Sequence, residues 1–497
     1  MKLSDISRVL DAAGLARTAG PFREDIEITD VCTATGQAVP GSLFCCVRGF
    51  RADGHLFAAE AESKGASAFL AEHPLPTSRP VLIAENIRKA SAAAAAAVHG
   101  HPAKKLRLAA VTGTNGKSTT AWLTRSILRH VGMPCGLLGT ILYDDGTNSQ
   151  PGDRTTPDGP SVQRWLGRMA ANGQKACVME ASSHGLDLQR LEGCRFEALA
   201  FTNLTPEHLD FHGDMEGYFR AKLKLFSDYA TPAATFAVNV DDPWGRRLAG
   251  LFPKKAVTYG IRAEAESRAR ILAEDLDGTT LDLFLPGLSA PLGVRSPLVG
   301  LHNVSNVLAA STLAVGLGIG PEAVREGIER VSPVPGRLQR FRFDNGVCCF
   351  IDYAHTPDGL EKALEAVGKG CRGVVHAVFG LGGERTTENR PAMGRVAAMH
   401  AEHVVITMDN PRSEEPMSIA RQIESGLQGA RLLSHSVILD RKEAVHAALD
   451  AARPGDVVLV AGKGPETTMI LADGPVPYND EESVREWGVS RGRALVP

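Results

Sequence analysis

Apolar positions along this 497-residue chain fall into two patterns that alternate through most of its length. Short continuous apolar runs, such as residues 106–111, 176–179, 198–201 and 235–240, read as strands buried on both faces. Between them lie longer stretches with apolar residues at helical spacing. In residues 121–130, Leu123, Ile127 and Leu128 mark one face and predict a helix. Such alternation predicts α/β sheets that are mostly parallel, with ligands gathered at the carboxyl ends of the strands.

Three segments carry the pattern differently. Residues 1–104 predict a small mixed α/β domain: a helix over 3–13, strand-like runs at 26–31, 42–47, 66–70 and 81–83, and a helix through the alanine run 92–97. The turn Val39-Pro40-Gly41 and the polar loop 49–55 flank one strand there, and His55 reads as a surface histidine. Residues 105–332 predict a central domain with a mostly parallel sheet. Residues 333–497 predict a second open sheet, with strands at 347–351, 374–379, 404–407 and 457–460 and helices at 359–367, 391–400, 419–427 and 442–449. The expected fold is α/β with three domains, which suits the chain length.

Composition narrows the function. Apolar content of 43% and charged content of 22% are those of a soluble globular protein. A formal charge of −3 argues against nucleic acid as a partner held by bulk charge. The nine cysteines contain no CxxC pair, and the vicinal pairs Cys45-Cys46 and Cys348-Cys349 sit in apolar runs. Buried reduced thiols and a cytoplasmic address are expected. The start of the chain mixes charges of both signs among its apolar residues, unlike a signal peptide, and the alanine run is too short for membrane insertion.

The chemistry centres on residues 111–120, V-T-G-T-N-G-K-S-T-T, lying between a predicted strand and a predicted helix. Glycines allow close approach of backbone to phosphate, helix-start N–H groups point at an anion, Lys117 adds charge and Ser118 can hold magnesium. Val111 stands where the common phosphate-loop pattern has its first glycine, and an ordinary tight turn is the alternative. Polar clusters follow the next strands: Glu180 to Gly185, Thr202 to His208 and Asn239 to Pro243. Glu180 and His208 beside a Lys-Ser loop make a magnesium site. Taken alone, Glu180 reads as a helix N-terminal charge, His208 as a core histidine and Lys222 as a helix-surface lysine. The last segment places clusters at 352–355, 380–385, 409–412 and 462–466, with arginines suited to a forked grip on carboxylates.

Together these motifs resemble the Mur ligases, ATP-dependent amino-acid ligases that build the peptidoglycan stem peptide. The succession T-G-T-N-G-K-S-T, E-A-S-S-H-G-L, T-N-L-T-P-E-H-L-D-F-H-G, L-H-N-V-S-N, G-R, D-Y-A-H-T-P and D-N-P-R follows the family's order over essentially the whole chain. The resemblance is greatest to members that add the third residue, to UDP-N-acetylmuramoyl-L-alanyl-D-glutamate. It implies a uridine-nucleotide domain, a central ATPase and a C-terminal Rossmann-like domain, acting through an acyl phosphate. It also implies a monomer.

Residue by residue, the resemblance implies that Gly113, Thr114, Asn115, Gly116, Lys117, Ser118, Thr119, Asn303, Asn306, Arg337 and Asp352 surround ATP. Ser118, Glu180, His208 and a carbamylated Lys222 would hold Mg2+, with Lys117, Lys222 and His208 catalytic. Thr35, Thr155, Thr156, Ser182 and Arg190 would bind the UDP-sugar peptide. Arg385, Asp409, Asn410, Arg412, Gly462 and Glu466 would bind the amino acid. D-N-P-R is the form of enzymes selecting meso-diaminopimelate, since Arg412 can fork onto its extra carboxylate. The chain departs from the family at Ala34-Thr35-Gly36, where Asp-Ser-Arg is usual, at Pro465 for a histidine, and at Leu188 for a glutamine. The alternatives are a related ligase using L-lysine or another amino acid, and a non-catalytic nucleotide-binding regulator.

Overall fold

Strand-forming apolar runs and amphipathic helices assemble, among the described residues, into three large sheets with cores on their faces and one two-stranded sheet, Thr468–Leu471 with Gly474–Pro477. The computed structural model describes residues 1–18, 25–49, 52–429 and 432–496; Phe50 and Arg51 of the predicted polar loop lie outside them. The chain divides into two units. The first comprises Met1–Arg268, Phe284–Ala290 and Asn306–Gly327, and the second Ala269–Leu283, Pro291–Ser305 and Ile328–Pro497.

The first sheet of the first unit runs Arg17–Thr18, Val81–Ile83, Ala66–Ala71, Ser42–Cys45, Asp30–Cys32. Helices Leu3–Ala12 and Ile87–Val98 close its core around Leu43, Phe44, Phe69 and Leu70. The predicted strand over 26–31 shortens to Asp30–Cys32. Its first half instead pairs with the chain start, Leu3 N–H donating to Ile26 O (2.8 Å) and Ile28 N–H to Met1 O (2.8 Å). His55 is not a surface residue. It is buried, its Nδ1 shares a 2.6 Å hydrogen bond with Asp53 and its Nε2 accepts from Glu72 N–H at 3.1 Å. Those two partners satisfy both ring nitrogens, which lets the imidazole enter the core.

The central sheet of the same unit is built around Arg107–Thr112. It lies between Ala176–Glu180 and Phe196–Phe201, parallel to both, with Glu180 level with Val111 and Phe201 level with Thr112. Ala230–Asn239 and then Ala256–Gly260 extend one side in parallel, and Cys135–Leu138 the other. These strands lack polar alternation because both faces are covered. Leu108, Met179, Leu199, Phe201, Phe226 and Phe236 form one buried cluster. All the parallel carboxyl ends therefore open on one edge.

In the second unit the sheet runs Ser434–Val437, His403–Ile406, Val375–Phe379, Val457–Ala461, Cys348–Asp352, Gln339–Phe343, Leu495–Val496. The first five strands are parallel, and Gln339–Phe343 pairs antiparallel with both Cys348–Asp352 and Leu495–Val496. Ile406, Phe379, Ala461 and Asp352 are level in register, so the four polar clusters predicted after these strands share one edge. Helices such as Pro357–Gly370 and Arg441–Ala451 cover the two faces, giving a separate core on each. Strands Gly278–Phe284 and Leu292–Ser296 pair antiparallel.

Leu199 is fully buried in the strand beside the phosphate-loop strand. Leu199→Ala should cost about 2–5 kcal/mol through lost burial and a residual cavity, measured as a shift in the urea midpoint of central-domain unfolding.

Candidate active site

The sheet edge of the first unit is shaped by two glycines. Gly113 follows the central strand with φ of 147°, and a Cβ there would lie 1.9 Å from Thr202 Oγ1. Gly116 has φ of 85°, and a Cβ there would meet Asn306 Oδ1 at 2.4 Å. Neither position tolerates a side chain. Val111 occupies the place of a loop glycine because the strand continues through it, paired to Glu180 and Ala200. The loop is tied to the next strand end by Thr114 N–H to Asn203 O (2.9 Å), Asn115 N–H to Asn203 Oδ1 (2.9 Å) and Thr202 Oγ1 to Asn115 O (2.6 Å). Helix Lys117–His130 starts immediately after it, with Ser118 and Thr119 buried in its first turn. Its initial N–H groups have no intrahelical acceptors, the arrangement that suits an anion. Lys117 Nζ folds over that loop, donating to Gly113 O (3.0 Å) and Thr114 O (2.8 Å).

Glu180 ends its strand, so the reading of it as a helix N-terminal charge does not apply. Its carboxylate is buried and aimed at the helix start: Oε2 accepts from Ser118 Oγ at 2.9 Å, and Oε1 from Thr140 N–H at 2.9 Å. Gly139 permits this approach, since a Cβ there would lie 2.2 Å from Glu180 Oε1. Thr140 Oγ1 also meets Thr155 Oγ1 at 2.9 Å. Thr156 Oγ1 donates to Glu180 O (2.8 Å) and lies 3.1 Å from Ser182 Oγ, while Arg190 NH1 donates to Thr156 O (2.8 Å). Thr155, Thr156, Ser182 and Arg190 thus form one chain leading to Glu180. Thr35 belongs to another grouping, its hydroxyl donating to Glu60 Oε1 at 2.8 Å.

Lys222 is not a helix-surface lysine. On helix Met215–Asp228 it is 1% exposed, and its Nζ donates to Gly113 O at 2.8 Å while lying 4.4 Å from the Tyr218 ring centroid. Burial, reinforced by the Lys117 ammonium, pushes its pKa well below the usual lysine value, despite the opposing charge of Glu207. Tyr218 is fixed by the loop, its hydroxyl 3.3 Å from Thr114 Oγ1. His208 adopts a left-handed φ of 55° ahead of helix Leu209–His212, and its side chain remains 40% exposed. It is therefore not a satisfied core histidine. Desolvation lowers its pKa, partly countered by Glu207, whose Oε1 is 3.8 Å from Nε2. His184 stands edge-on to it at 4.7 Å, and burial there lowers the His184 pKa to about 4.

The donor set fits a hard divalent cation. The donor types are a serine hydroxyl on a buried carboxylate, a lysine of lowered pKa on the Gly113 carbonyl, and the His208 imidazole, which feels the charges of Lys117 and Lys222. Asn306 reaches the same place, its Oδ1 accepting from Thr120 Oγ1 at 3.3 Å.

The second unit carries the other predicted residues. Asn303 is buried, its Nδ2 donating to Val299 O at 2.8 Å. Asp352 ends its strand and accepts Leu338 N–H (2.7 Å) and Ala354 N–H (2.9 Å), while Arg337 lies 4.7 Å from the Tyr353 ring centroid. Burial raises the Asp352 pKa against the pull of Arg337. Asn410 and Glu466 meet at 2.9 Å, and Lys463, missed by sequence reasoning, joins them: its fully buried Nζ donates to Asn410 Oδ1 (3.0 Å) and Glu466 Oε2 (2.8 Å). Its position inside a glycine-flanked cluster was the available signal. Asp409 is buried, which raises its pKa, and Gly462 lies so close that a Cβ would be 2.7 Å from Asp409 Oδ2. Arg412, with φ of 55°, uses NH1 for Gly383 O (2.7 Å) and Asn410 O (3.3 Å). Among the described residues its NH2 and Nε make no hydrogen bond, which leaves a fork for a carboxylate. Gly382 separates Arg412 from Arg385, and a Cβ there would lie 2.9 Å from Arg412 NH1 and 3.8 Å from Arg385 Cγ.

Residues 28–125, 111–314 and 336–464 match, in turn, the Mur ligase family catalytic domain, the Mur ligase middle domain and the Mur ligase glutamate ligase domain. The chain belongs to the Mur ligase family. A UDP-N-acetylmuramoyl-L-alanyl-D-glutamate--2,6-diaminopimelate ligase of Geobacter metallireducens is 36% identical, over 97% of this chain and 98% of its own. The ligase of the same name from Geobacillus kaustophilus is 40% identical, over 91% of this chain and 93% of its own. A solved structure bearing that enzyme name, 28% identical, matches with a TM-score of 0.68 and covers 99% of this chain and 100% of that one. The three large sheets described above are the three-domain Mur ligase fold.

In this Mur ligase, Gly113→Ala forces a methyl group into Thr202. It should weaken ADP binding at least about 100-fold, since a misplacement near 1 Å disables such a site. Calorimetric titration checks this, with circular dichroism confirming an intact fold.

Proposed function

We propose that this Mur ligase joins meso-diaminopimelate to the free D-glutamyl carboxylate of UDP-N-acetylmuramoyl-L-alanyl-D-glutamate, converting ATP to ADP and phosphate, in the supply of peptidoglycan precursors. The observation that carries the reading is Lys222. A buried, readily deprotonated amine on the Gly113 carbonyl has no use in a plain nucleotide binder. It suits a site where two anions, a carboxylate and a triphosphate, must meet.

In this reading residues 1–104 form the uridine-nucleotide domain, 105–332 the ATPase and 333–497 the amino-acid domain. Thr35, Thr155, Thr156, Ser182 and Arg190 hold the nucleotide-linked dipeptide. Gly113, Thr114, Asn115, Gly116, Thr119 and Asn306 hold ATP. Lys117 neutralises the phosphates as the γ-phosphoryl group passes to the carboxylate oxygen. The amine of the amino acid then attacks the acyl carbon, the carbonyl reforms as phosphate leaves, and the nitrogen gives up a proton to leave an amide. Ser118, Glu180, His208 and carbamylated Lys222 would hold magnesium, which supplies charge neutralisation when bound.

Neutral Lys222 can add carbon dioxide, forming an N–C bond and releasing a proton, which turns an ammonium position into an anionic oxygen ligand. The amino acid is read by Arg385, Asp409, Asn410, Arg412, Gly462 and Glu466, with the Arg412 fork on the carboxylate that lysine lacks. A cytoplasmic, monomeric enzyme completes the proposal. The unpaired cysteines, all buried but the half-buried Cys371, are consistent with a reducing compartment, and among the described residues no helix is long and apolar enough to cross a membrane.

The test is ATP- and magnesium-dependent amide formation on the dipeptide nucleotide with meso-diaminopimelate and L-lysine in parallel. Product with diaminopimelate alone is expected; product with neither would refute the ligase. Arg412→Ala should raise the KM for diaminopimelate about 10- to 100-fold, the worth of a charge-assisted pair, and unchanged kinetics would sink the specificity argument. Enzyme in 13C-bicarbonate should show a carbamate carbon resonance that strengthens as pH rises through the lowered Lys222 pKa and levels off above it, because the neutral amine is the reactant. The signal should vanish in Lys222→Arg.

A further inference from the structure

The two loops that read the amino acid begin at different strand ends, and one buried ion pair holds both. Arg441, the first residue of helix Arg441–Ala451, and Asp480, the first of helix Asp480–Ser490, have side chains with no exposed surface. Arg441 Nε donates to Asp480 Oδ1 at 2.8 Å and NH2 to Oδ2 at 2.9 Å. The same guanidinium reaches the backbone on its other side. NH1 donates to Met408 O (3.1 Å) and NH2 to Ala461 O (2.8 Å). Those carbonyls belong to the residues immediately before Asp409 and Gly462, where the loops start.

The Asp480 side of the pair holds the second loop further along. Tyr478 Oη donates to Asp480 Oδ1 at 3.0 Å, and Tyr478 N–H donates to Thr467 O at 3.1 Å. Asn479 caps the helix through Glu482 N–H (3.0 Å) and donates from Nδ2 to Glu466 O at 3.0 Å. Asn410 and Arg412 thus hang from one end of the clamp, and Lys463 and Glu466 from both. The neighbouring Asn410–Lys463–Glu466 contacts are side-chain bonds. They can form only if the two backbones arrive in register.

We propose that Arg441 and Asp480 are positioning residues for the amino acid: together they set the relative placement of the loops at 409–412 and 462–466 without touching substrate. A buried ion pair adds little net stability over an apolar pair of similar volume. Its distinctive contribution here is directional, because four guanidinium donors point along fixed lines to one carboxylate and two loop-starting carbonyls. An apolar pair can fill the space but cannot hold those carbonyls.

This inference rests on the ligase reading, and the test separates the two. The double variant Arg441→Met/Asp480→Leu removes both charges together and should unfold near the wild-type temperature. Its KM for meso-diaminopimelate should rise about 10- to 100-fold, while the KM for ATP and for the dipeptide nucleotide stays within about twofold of wild type, the scale of surface-like perturbation. Asp480→Asn keeps an oxygen acceptor for Nε and serves if the double variant does not fold; a smaller rise of the same selective kind is expected. A folded variant with unchanged diaminopimelate KM, or with all three KM values raised alike, would overturn the positioning role. Absence of wild-type turnover would instead overturn the ligase reading beneath it.

Discussion

Parallel pairing with a level register is the constraint on which both sites depend. In the first unit, Val111 pairs with Glu180 on one side and Ala200 on the other, so the phosphate loop, the carboxylate and the Thr202–Asn203 tie emerge at one height. In the second, Ile406, Phe379, Ala461 and Asp352 finish together. A slip of one residue in either sheet would turn every following side chain to the opposite face. Apolar packing against each sheet opposes that slip, so burial away from the edge sets the geometry at the edge.

Given that edge, the site in the first unit works by crowding groups whose charges are costly to bury. Lys222 faces a backbone carbonyl and an aromatic ring, with Lys117 nearby, and burial favours its neutral form. Glu180, also buried, receives hydrogen bonds from Ser118 and Thr140 and so retains polar partners for its carboxylate. The lysine is thus biased away from its charged form while the carboxylate keeps partners that suit its charge.

The edge in the second unit is organised differently. Lys463 is buried with Asn410 and Glu466 as direct partners, and Arg441 is buried with Asp480. These cations are matched within the protein. Arg412 is the exception: its NH1 is held by two carbonyls while the remainder of its fork is available. One guanidinium is thus fully engaged in the scaffold, while the other keeps donors to spare at the sheet edge.

Much of this protein was legible in the chain alone, wherever the signal was local. Apolar runs located the strands of both large sheets because full burial on two faces requires continuous hydrophobicity. The phosphate loop was legible because Gly113 and Gly116 sit between a strand and a helix, and backbone conformation there is a property of a few adjacent residues. The order of motifs then pointed to the Mur ligase family. What adjacency cannot encode, the tertiary structure decided. Lys222 reads as an exposed helical lysine until helix Met215–Asp228 packs it onto the Gly113 carbonyl, which is distant in sequence. His55 enters a core only because Asp53 and Glu72 satisfy its ring. Residues 26–28 have the composition of a strand, yet the chain start takes their hydrogen bonds. Lys463 acquires its setting from Asn410 on another loop and Arg441 from Asp480 on another helix. Burial and partnership of a charged group depend on which segments meet, and that is a property of the whole fold.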